Sequence, residues 1–218
     1  MKPIFYCLLT VCISVSSYGQ QDFVGATHYL FPEFQQGTVL MKDGRVNRAL
    51  LNYNSLTEEM IFDQQNMKLA IGKQELKNID TVTITDRKFV VLDNKFVEIV
   101  YHSDWVLYME HKCKVEAEGA STGFGGTSET SAVRSVGTLQ TQGRVLYDLE
   151  LPDGYKTFPH AIYWLKKNDQ IIHFRSLKEL KKQYADQKDA IKKYSKSHRV
   201  KYDDQQSIIE LIAFLEAS

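Results

Sequence analysis

Short β-prone runs separated by tight turns occupy residues 38–116, and this pattern constrains the fold more than any other feature. The stretch "TVLMKDGRVNRALLNY" places Asp43 and Gly44 between two such runs, and this dipeptide accepts the positive φ angles of a type I′ turn. Further runs follow at short intervals: "EEMIFD", "MKLAI", "TVTI", "KFVVLD", "KFVEIVY" and "WVLYMEHKCKV". Many short strands with tight turns predict an antiparallel β-meander, curled as a sandwich or an open barrel.

Side chains alternate along these runs as a half-buried strand requires. Phe96, Glu98 and Val100 lie on one face of their run, because successive residues of a strand point to opposite faces. The strand pattern resumes at "GRVLYDLELPDGYK", which a turn at 152–154 interrupts. It then continues through "HAIYWLKKNDQIIHF", a predicted hairpin around Asn168.

The apolar period changes from two to about 3.6 at the C-terminal end of the chain. Ser176 is a predicted N-cap, and Glu179 follows it at capping-box spacing. We expect further helices at 186–196 and 204–216. The last presents apolar residues at helical spacing, which are Ile208, Leu211, Ile212 and Leu215. The predicted fold class is therefore α+β, a β-meander followed by a small helical unit that docks on it.

The first 19 residues are typical of an export signal. Lys2 gives a basic start, the following apolar run is too short to span a bilayer, and Ser17 and Gly19 match a cleavage site. Lipidation at Cys12 is the alternative, although the preceding Val11 is bulky for that motif. The prediction is an exported protein of the periplasm, the outer membrane surface or the exterior.

Removal of residues 1–19 leaves two predicted regions, a β-rich domain at 20–175 and a helical cap at 176–218. Cys113 is then the single cysteine, so the mature chain forms no internal disulfide. No apolar run after the signal is long enough to cross a membrane as a helix.

Charge is distributed unevenly along a chain whose formal net charge is zero. Residues 166–201 carry 12 basic and 4 acidic side chains, and residues 202–218 carry 4 acidic and no basic ones. A solvated helix face is the ordinary explanation of such a basic run. The alternative is peripheral contact with anionic lipid headgroups, through Lys178, Lys181, Lys182, Lys192, Lys193 and Lys196. Nucleic acid is not an expected partner of an exported protein.

A loop rich in glycine and hydroxyl side chains is predicted at 117–143, which holds six Gly, four Ser and five Thr in 27 residues. It lacks the lysine of a phosphate-binding loop, and neither a dinucleotide-binding nor a nucleophile-elbow spacing occurs in it. Loops of this length are usually functional or disordered. Its predicted ligand-touching residues are Gly123, Phe124, Gly125, Gly126, Thr127 and Ser128.

His111 and Cys113 lie two residues apart on a predicted strand, so both point to one face. They could form a reactive thiol with a neighbouring base, as in a cysteine hydrolase. They are also too few for a metal site, which needs three or four ligands. We therefore expect neither a metal nor another cofactor.

Aromatic residues of the strands form a second candidate surface. Trp105 and Tyr108, with Tyr163 and Trp164, could form a stacking platform for sugars or bases. Aromatic side chains in strands are more often part of the core, which is the alternative.

Several segments resemble a family of exported Bacteroidota proteins. They include "YLFPEFQQGTVLMKDGRVNRALLNYNSLTEEMIF", "IDTVTITDRKFV", "HKC" and "GFGGTSETSA". The tail "SLKELKKQYADQKDAIKKYSKSH" is similar to a lysine-rich helical tail of the same group. The resemblance implies export to the cell envelope or beyond, and it implies no activity.

The sequence therefore predicts a non-catalytic, exported binding or envelope-structural module, whose partner is an envelope protein or a glycan. The alternatives are a hydrolase that uses Cys113 as its nucleophile and a protein that binds anionic headgroups through its basic helices.

Overall fold

A computed structural model describes residues 27–117, 121–122, 126–127, 147–149, 151 and 154–217. The strands are β1 (Gln35–Met41), β2 (Val46–Asn54), β3 (Glu59–Gln64), β4 (Met67–Ala70), β5 (Ile79–Ile84), β6 (Arg87–Leu92), β7 (Lys95–His102), β8 (Val106–Ala117), β9 (Ser121–Thr122), β10 (Gly126–Thr127), β11 (Tyr155–Lys167) and β12 (Gln170–Phe174). The α-helices are α1 (Lys73–Leu76), α2 (Leu177–Gln183), α3 (Lys188–Ser197) and α4 (Gln205–Glu216). The predicted export signal at 1–19 lies outside the described residues.

Ten strands form one open antiparallel sheet in the order β12-β11-β8-β7-β6-β5-β1-β2-β3-β4. It consists of two meanders, β1 to β4 and β5 to β12, and they join because β5 pairs with β1 instead of β4. β9 and β10 pair with each other in a separate two-stranded sheet. The α+β class and the antiparallel meander are thus confirmed, with one crossover that sequence patterning did not indicate.

The turns follow the predicted chemistry, with one correction. Asn168 and Asp169 both have positive φ, which is the type I′ geometry of a two-residue hairpin. In the first hairpin only Gly44 has a positive φ, of 87°, and its amide donates to the carbonyl of Met41 (2.9 Å). The hairpin was therefore predicted correctly, but its turn is a longer one that ends in a left-handed glycine, not type I′.

The sheet curls until the end of β2 reaches β8. The amide of Cys113 donates to the carbonyl of Ser55 (2.8 Å), and the Tyr53 hydroxyl donates to the carbonyl of His111 (3.2 Å). The segment before β1 lies beside the same end of β2, because the Leu30 amide donates to the Tyr53 carbonyl (2.9 Å). These contacts bring three separate stretches of chain together at the middle of β8.

The helix α2 begins at the predicted cap, and α4 begins at a side-chain cap as well. The Ser176 hydroxyl accepts from the Glu179 amide (3.2 Å), and Asp204 caps α4 by accepting from the Gln206 amide (3.1 Å). The carboxylate of Glu179 accepts from the amide of Arg175 (2.7 Å), one residue before the cap itself. Within the described residues, no helix is long and apolar enough to cross a membrane.

Two large apolar clusters form most of the core, and a third, small one holds Cys113, Val115 and Leu151. One large cluster fills the curl of β1 to β7 around Tyr53 and Phe89, and the other joins the helices to β8, β11 and β12. The four apolar residues predicted to dock α4 are all buried in the second cluster, as is Trp105, which stacks on Tyr101 with ring centroids 4.3 Å apart.

Three boundaries differ from the predictions. Residues 147–149 are not in a strand, although the sequence predicted one through them. A short 3-10 helix at Ala185–Gln187 precedes α3, where a single α-helix was expected from residue 186. Within the predicted loop at 117–143, the described part holds β9 and β10.

A substitution at Gly37 tests how tightly β1 packs between β2 and β5. A Cβ atom at this position would lie 2.8 Å from the Leu51 side chain and 2.8 Å from the Thr83 carbonyl oxygen, a backbone atom that cannot rotate away. We expect Gly37→Ala to lower the free energy of unfolding by about 1–3 kcal/mol in urea titrations. Gly72→Ala is the control, since nothing lies within 4 Å of its Cβ position. Equal effects of the two substitutions would contradict the predicted clash.

Candidate functional site

The inner faces of β8 and β11 form the floor of a cleft. Met109, His111 and Cys113 alternate along β8 and share one face. The antiparallel register places Ala161 opposite His111 and Tyr163 opposite Met109. Because both strands are hydrogen-bonded along this stretch, the floor is a rigid surface.

Two other segments form the walls of this cleft, which encloses about 1050 Å³. One wall is the stretch at 27–30 before β1, and the other is the connection at 201–204 together with the first residues of α4. The cleft therefore lies where the curled sheet meets the helical unit, and its lining combines polar, aromatic and apolar side chains.

An ion pair inside the curl fixes the position of His111. The Arg87 guanidinium donates to both carboxylate oxygens of Glu98, at 2.6 Å and 2.5 Å. The Nε2 atom of His111 lies 2.5 Å from the second of these oxygens. The three residues come from β6, β7 and β8, so the contact ties three neighbouring strands together on the concave face of the sheet.

Aromatic rings surround this ion pair. The guanidinium carbon of Arg87 lies 5.3 Å from the ring centroid of Phe31 and 5.9 Å from that of Phe89. Tyr53 stacks on Phe89 and touches the His111 ring at its edge. A cation held over aromatic faces and paired in two-pronged geometry is strongly oriented, so we expect Arg87 to have one fixed position.

The pKa values follow from these contacts. Burial disfavours the charge of Glu98, but hydrogen bonds from Arg87 and His111 outweigh it and lower the pKa to about 2. Burial lowers the pKa of His111, and the attraction of Glu98 only partly opposes this effect. At neutral pH the site thus holds a charged carboxylate, a charged guanidinium and a neutral imidazole.

A second charged network lies on the opposite face of β8. Glu110 is buried and accepts from the Lys95 amine (2.7 Å) and from the Trp164 indole (3.0 Å). Lys112 bridges Glu110 to Glu58 in the turn after β2. This network holds that turn against β8 from outside, while the Arg87–Glu98 pair holds the strands from inside.

The predicted aromatic surface is divided by the fold. Trp105 is buried in the core under the helices, and Tyr108 is half-buried on the face of β8 that points away from the cleft. Tyr163 lies in the cleft floor, and Trp164 lies on the Tyr108 side. The four aromatic residues therefore share no common platform.

The predicted loop residues are only partly described. Gly126 and Thr127 form β10, whereas Gly123, Phe124, Gly125 and Ser128 lie outside the described residues. Whether this loop touches a ligand stays a prediction.

Cys113 and His111 both line the cleft but have other partners. Cys113 is 8% exposed, and its thiol donates to the carbonyl of Lys114 (3.3 Å). Burial raises the pKa of this thiol, despite an opposing backbone hydrogen bond from Phe158. A raised pKa keeps the sulfur in its less reactive, protonated form at neutral pH.

The described residues contain no group of three or more His, Cys, Asp or Glu side chains placed to hold a metal ion. The basic side chains of α2 and α3 that the sequence singled out are all exposed to solvent. Contact of these lysines with a membrane surface stays a prediction.

Arg87, Glu98 and Tyr163 are the site residues that sequence reasoning missed or misplaced. The alternation along β7 did place Glu98 on a face shared with Phe96 and Val100, and a carboxylate between two apolar residues is a signal of a buried partner. That the partner is Arg87 follows only from the sheet register.

No protein-family model matches this chain. Comparisons with curated proteins and with solved structures find no match either. The resemblance to exported Bacteroidota proteins therefore stays a prediction, and the chemistry of the cleft has to be argued from its own atoms.

Glu98→Gln tests the buried ion pair. It removes the charge but keeps the shape, which leaves Arg87 without its counter-charge, so we expect the free energy of unfolding at pH 7 to fall by about 3 kcal/mol. A folded pKa below the ordinary value of 4.5 stabilises the protein above that pH, and this contribution disappears as the pH falls toward 2. The difference between wild type and variant should therefore shrink across this interval.

Denaturant titrations at several pH values measure the effect. Glu116→Gln is the control, because Glu116 is exposed at the far end of β8, and we expect it to change stability little. A difference for Glu98→Gln that stays constant down to pH 2 would show that shape, not charge, causes the loss.

Proposed function

We propose that this protein is a non-catalytic, exported binding module whose ligand occupies the cleft between the sheet and the helical unit. The observation that carries this proposal is the cleft itself, built on a rigid two-strand floor with walls from two other parts of the chain. Its volume of about 1050 Å³ is at the upper end of the roughly 300–1,000 Å³ of small-ligand sites.

The protonation state of the cleft supports binding without catalysis. A general base must reach the proton that it abstracts, and a thiol nucleophile must be ionised. Here the Nε2 atom of His111 faces Glu98, and the Cys113 sulfur faces a backbone carbonyl with its pKa raised by burial.

One observation favours a second candidate, a hydrolase that uses Cys113. The cleft places an imidazole, His111, between a carboxylate, Glu98, and a thiol, Cys113. A catalytic triad has its groups in this order. The imidazole would have to reach the thiol through its other nitrogen, and no hydrogen bond joins these two side chains in the described structure.

The reactivity of Cys113 separates the two candidates. We expect iodoacetamide at pH 7 to label folded protein at least about ten times more slowly than urea-unfolded protein, because the thiol is buried and protonated. Mass spectrometry of the labelled chain measures the rate, and Cys113→Ser is the blank. Fast labelling of the folded protein that depends on His111 would favour the hydrolase.

The export part of the proposal rests on the predicted signal at 1–19. Envelope proteins outside the cytoplasm meet glycans, peptides and small solutes, and the size of the cleft fits a ligand from any of these classes.

A bulky substitution that fills the cleft tests the binding proposal without knowledge of the ligand. The library contains saccharides, amino acids, short peptides, nucleotides and organic acids, and each compound is tested for its effect on the Tm of the wild type. We expect the compounds that raise this Tm to have no effect on the Tm of Ala161→Phe. The added ring would occupy the centre of the floor, opposite His111. Pro159→Trp, at an exposed edge of the same floor, is a second blocking variant if Ala161→Phe does not fold.

Lys88→Trp is the matched control, because Lys88 is exposed on β6 and does not line the cleft. It should keep every response of the wild type. A library in which no stabilising compound is sensitive to either blocking variant would contradict a ligand site in the cleft.

A further inference from the structure

Tyr163 offers an unused hydrogen-bonding group to the cleft. The residue is 1% exposed, and its ring is held between Phe174, stacked at 5.5 Å, and Tyr202, edge-on at 5.3 Å. Among the described residues, its hydroxyl has no hydrogen-bond partner. The buried side-chain atoms that lack a partner do not include this hydroxyl, so it opens into the cleft, where we expect a ligand or a water molecule to pair with it.

His111 brings a second polar group to the cleft, since its side chain lines the cleft and is 12% exposed. Because a carboxylate with a pKa of about 2 cannot donate, we assign the proton of the neutral imidazole to Nε2 from its 2.5 Å contact with Glu98, although the Arg87 guanidinium also lies 3.1 Å from this nitrogen. The Nδ1 atom then carries a lone pair, and no described residue donates to it. His111 and Tyr163 are diagonal neighbours in the register of β8 and β11, roughly 7 Å apart.

The floor of the cleft itself carries no net charge. Glu98 and Arg87 neutralise each other, His111 is neutral, and burial together with nearby carboxylates raises the pKa of Tyr163 to about 12, which keeps its hydroxyl protonated. A charged group that entered this floor would lose its hydration and find a counter-charge only in the walls, at Lys201, Asp203 and Asp204. The N-terminus of α4, which reaches the cleft, is already capped by the carboxylate of Asp204.

The geometry also excludes one common mode of peptide binding. The floor is the face of a sheet, with both strands already paired, so it has no free strand edge to which a peptide could add. Polar side chains at the mouth, including Asp203 and Gln205, are suited to hydroxyl groups.

We propose that the cleft binds a neutral polyhydroxylated ligand, a saccharide, with one sugar hydroxyl donating to Nδ1 of His111 and another pairing with the hydroxyl of Tyr163. This inference rests on the proposed function, because it names the chemical class of the ligand for that same cleft. A sugar hydroxyl both donates and accepts, so one ring satisfies the acceptor and the hydroxyl on the floor together.

Tyr163→Phe tests the proposal with the loss of a single oxygen atom. The probes are neutral mono- and oligosaccharides that stabilise the wild type in the library, and isothermal titration calorimetry measures their Kd. We expect the substitution to raise Kd by about 3- to 10-fold, as for the loss of one buried neutral hydrogen bond. Tyr108→Phe, the same change on the opposite face of β8, should leave Kd unchanged.

The stability of the variant gives a second readout. Because the Tyr163 hydroxyl has no described partner, its removal should leave the Tm of the free protein unchanged or slightly higher. A marked fall in Tm would mean that another part of the chain satisfies the hydroxyl, and this would overturn the proposal. Saccharide binding that is insensitive to Tyr163→Phe, or equally sensitive to Tyr108→Phe, would overturn it as well.

The remaining outcomes separate this inference from the proposed function. If only charged compounds or peptides bind, and Ala161→Phe abolishes that binding, the cleft is a ligand site but its ligand is not a neutral saccharide. If no compound of the library depends on the open cleft, the proposed function fails, and the saccharide inference fails with it.

Discussion

The ion pair between Arg87 and Glu98 is the contact on which the interior of the curled sheet depends. Burying a carboxylate and a guanidinium is unfavourable, and only good geometry and further hydrogen bonds offset the lost hydration. Here the guanidinium donates to both carboxylate oxygens and lies over two aromatic rings, and one of these oxygens also contacts His111. The pair therefore orients an imidazole at the edge of the cleft as well as joining three strands.

The same arrangement explains why β8 is the centre of the molecule. It presents His111 to the inner network and Glu110 to the outer one, since successive residues of a strand point to opposite faces. The amide of Cys113, two residues further on, binds the end of β2. A displacement of β8 would thus disturb both charge networks, the closure of the curl and the floor of the cleft, so we expect these features to be lost together on unfolding.

The features that sequence reasoning predicted are those decided by neighbouring residues. The hairpin at Asn168 and Asp169 depends on residues that tolerate positive φ, and the cap at Ser176 depends on the amide three positions away. The site depends on partners 11, 13 and 24 positions apart, joined by the register of three strands. The pairing of β5 with β1 is equally non-local, and no periodicity indicates it. Consequently the fold class was predictable, while the cleft and its ion pair were not.

The position of the cleft follows from how the two large apolar clusters divide the concave face. One cluster fills the curl and the other binds the helices, and the polar floor at His111 and Tyr163 lies where they meet. Continuous apolar packing across this junction would bury more area and give a more stable protein. Instead a neutral imidazole and a tyrosine hydroxyl lie where apolar side chains would fit. Polar groups placed at a cost to stability are characteristic of ligand sites, and this supports binding as the role of the cleft.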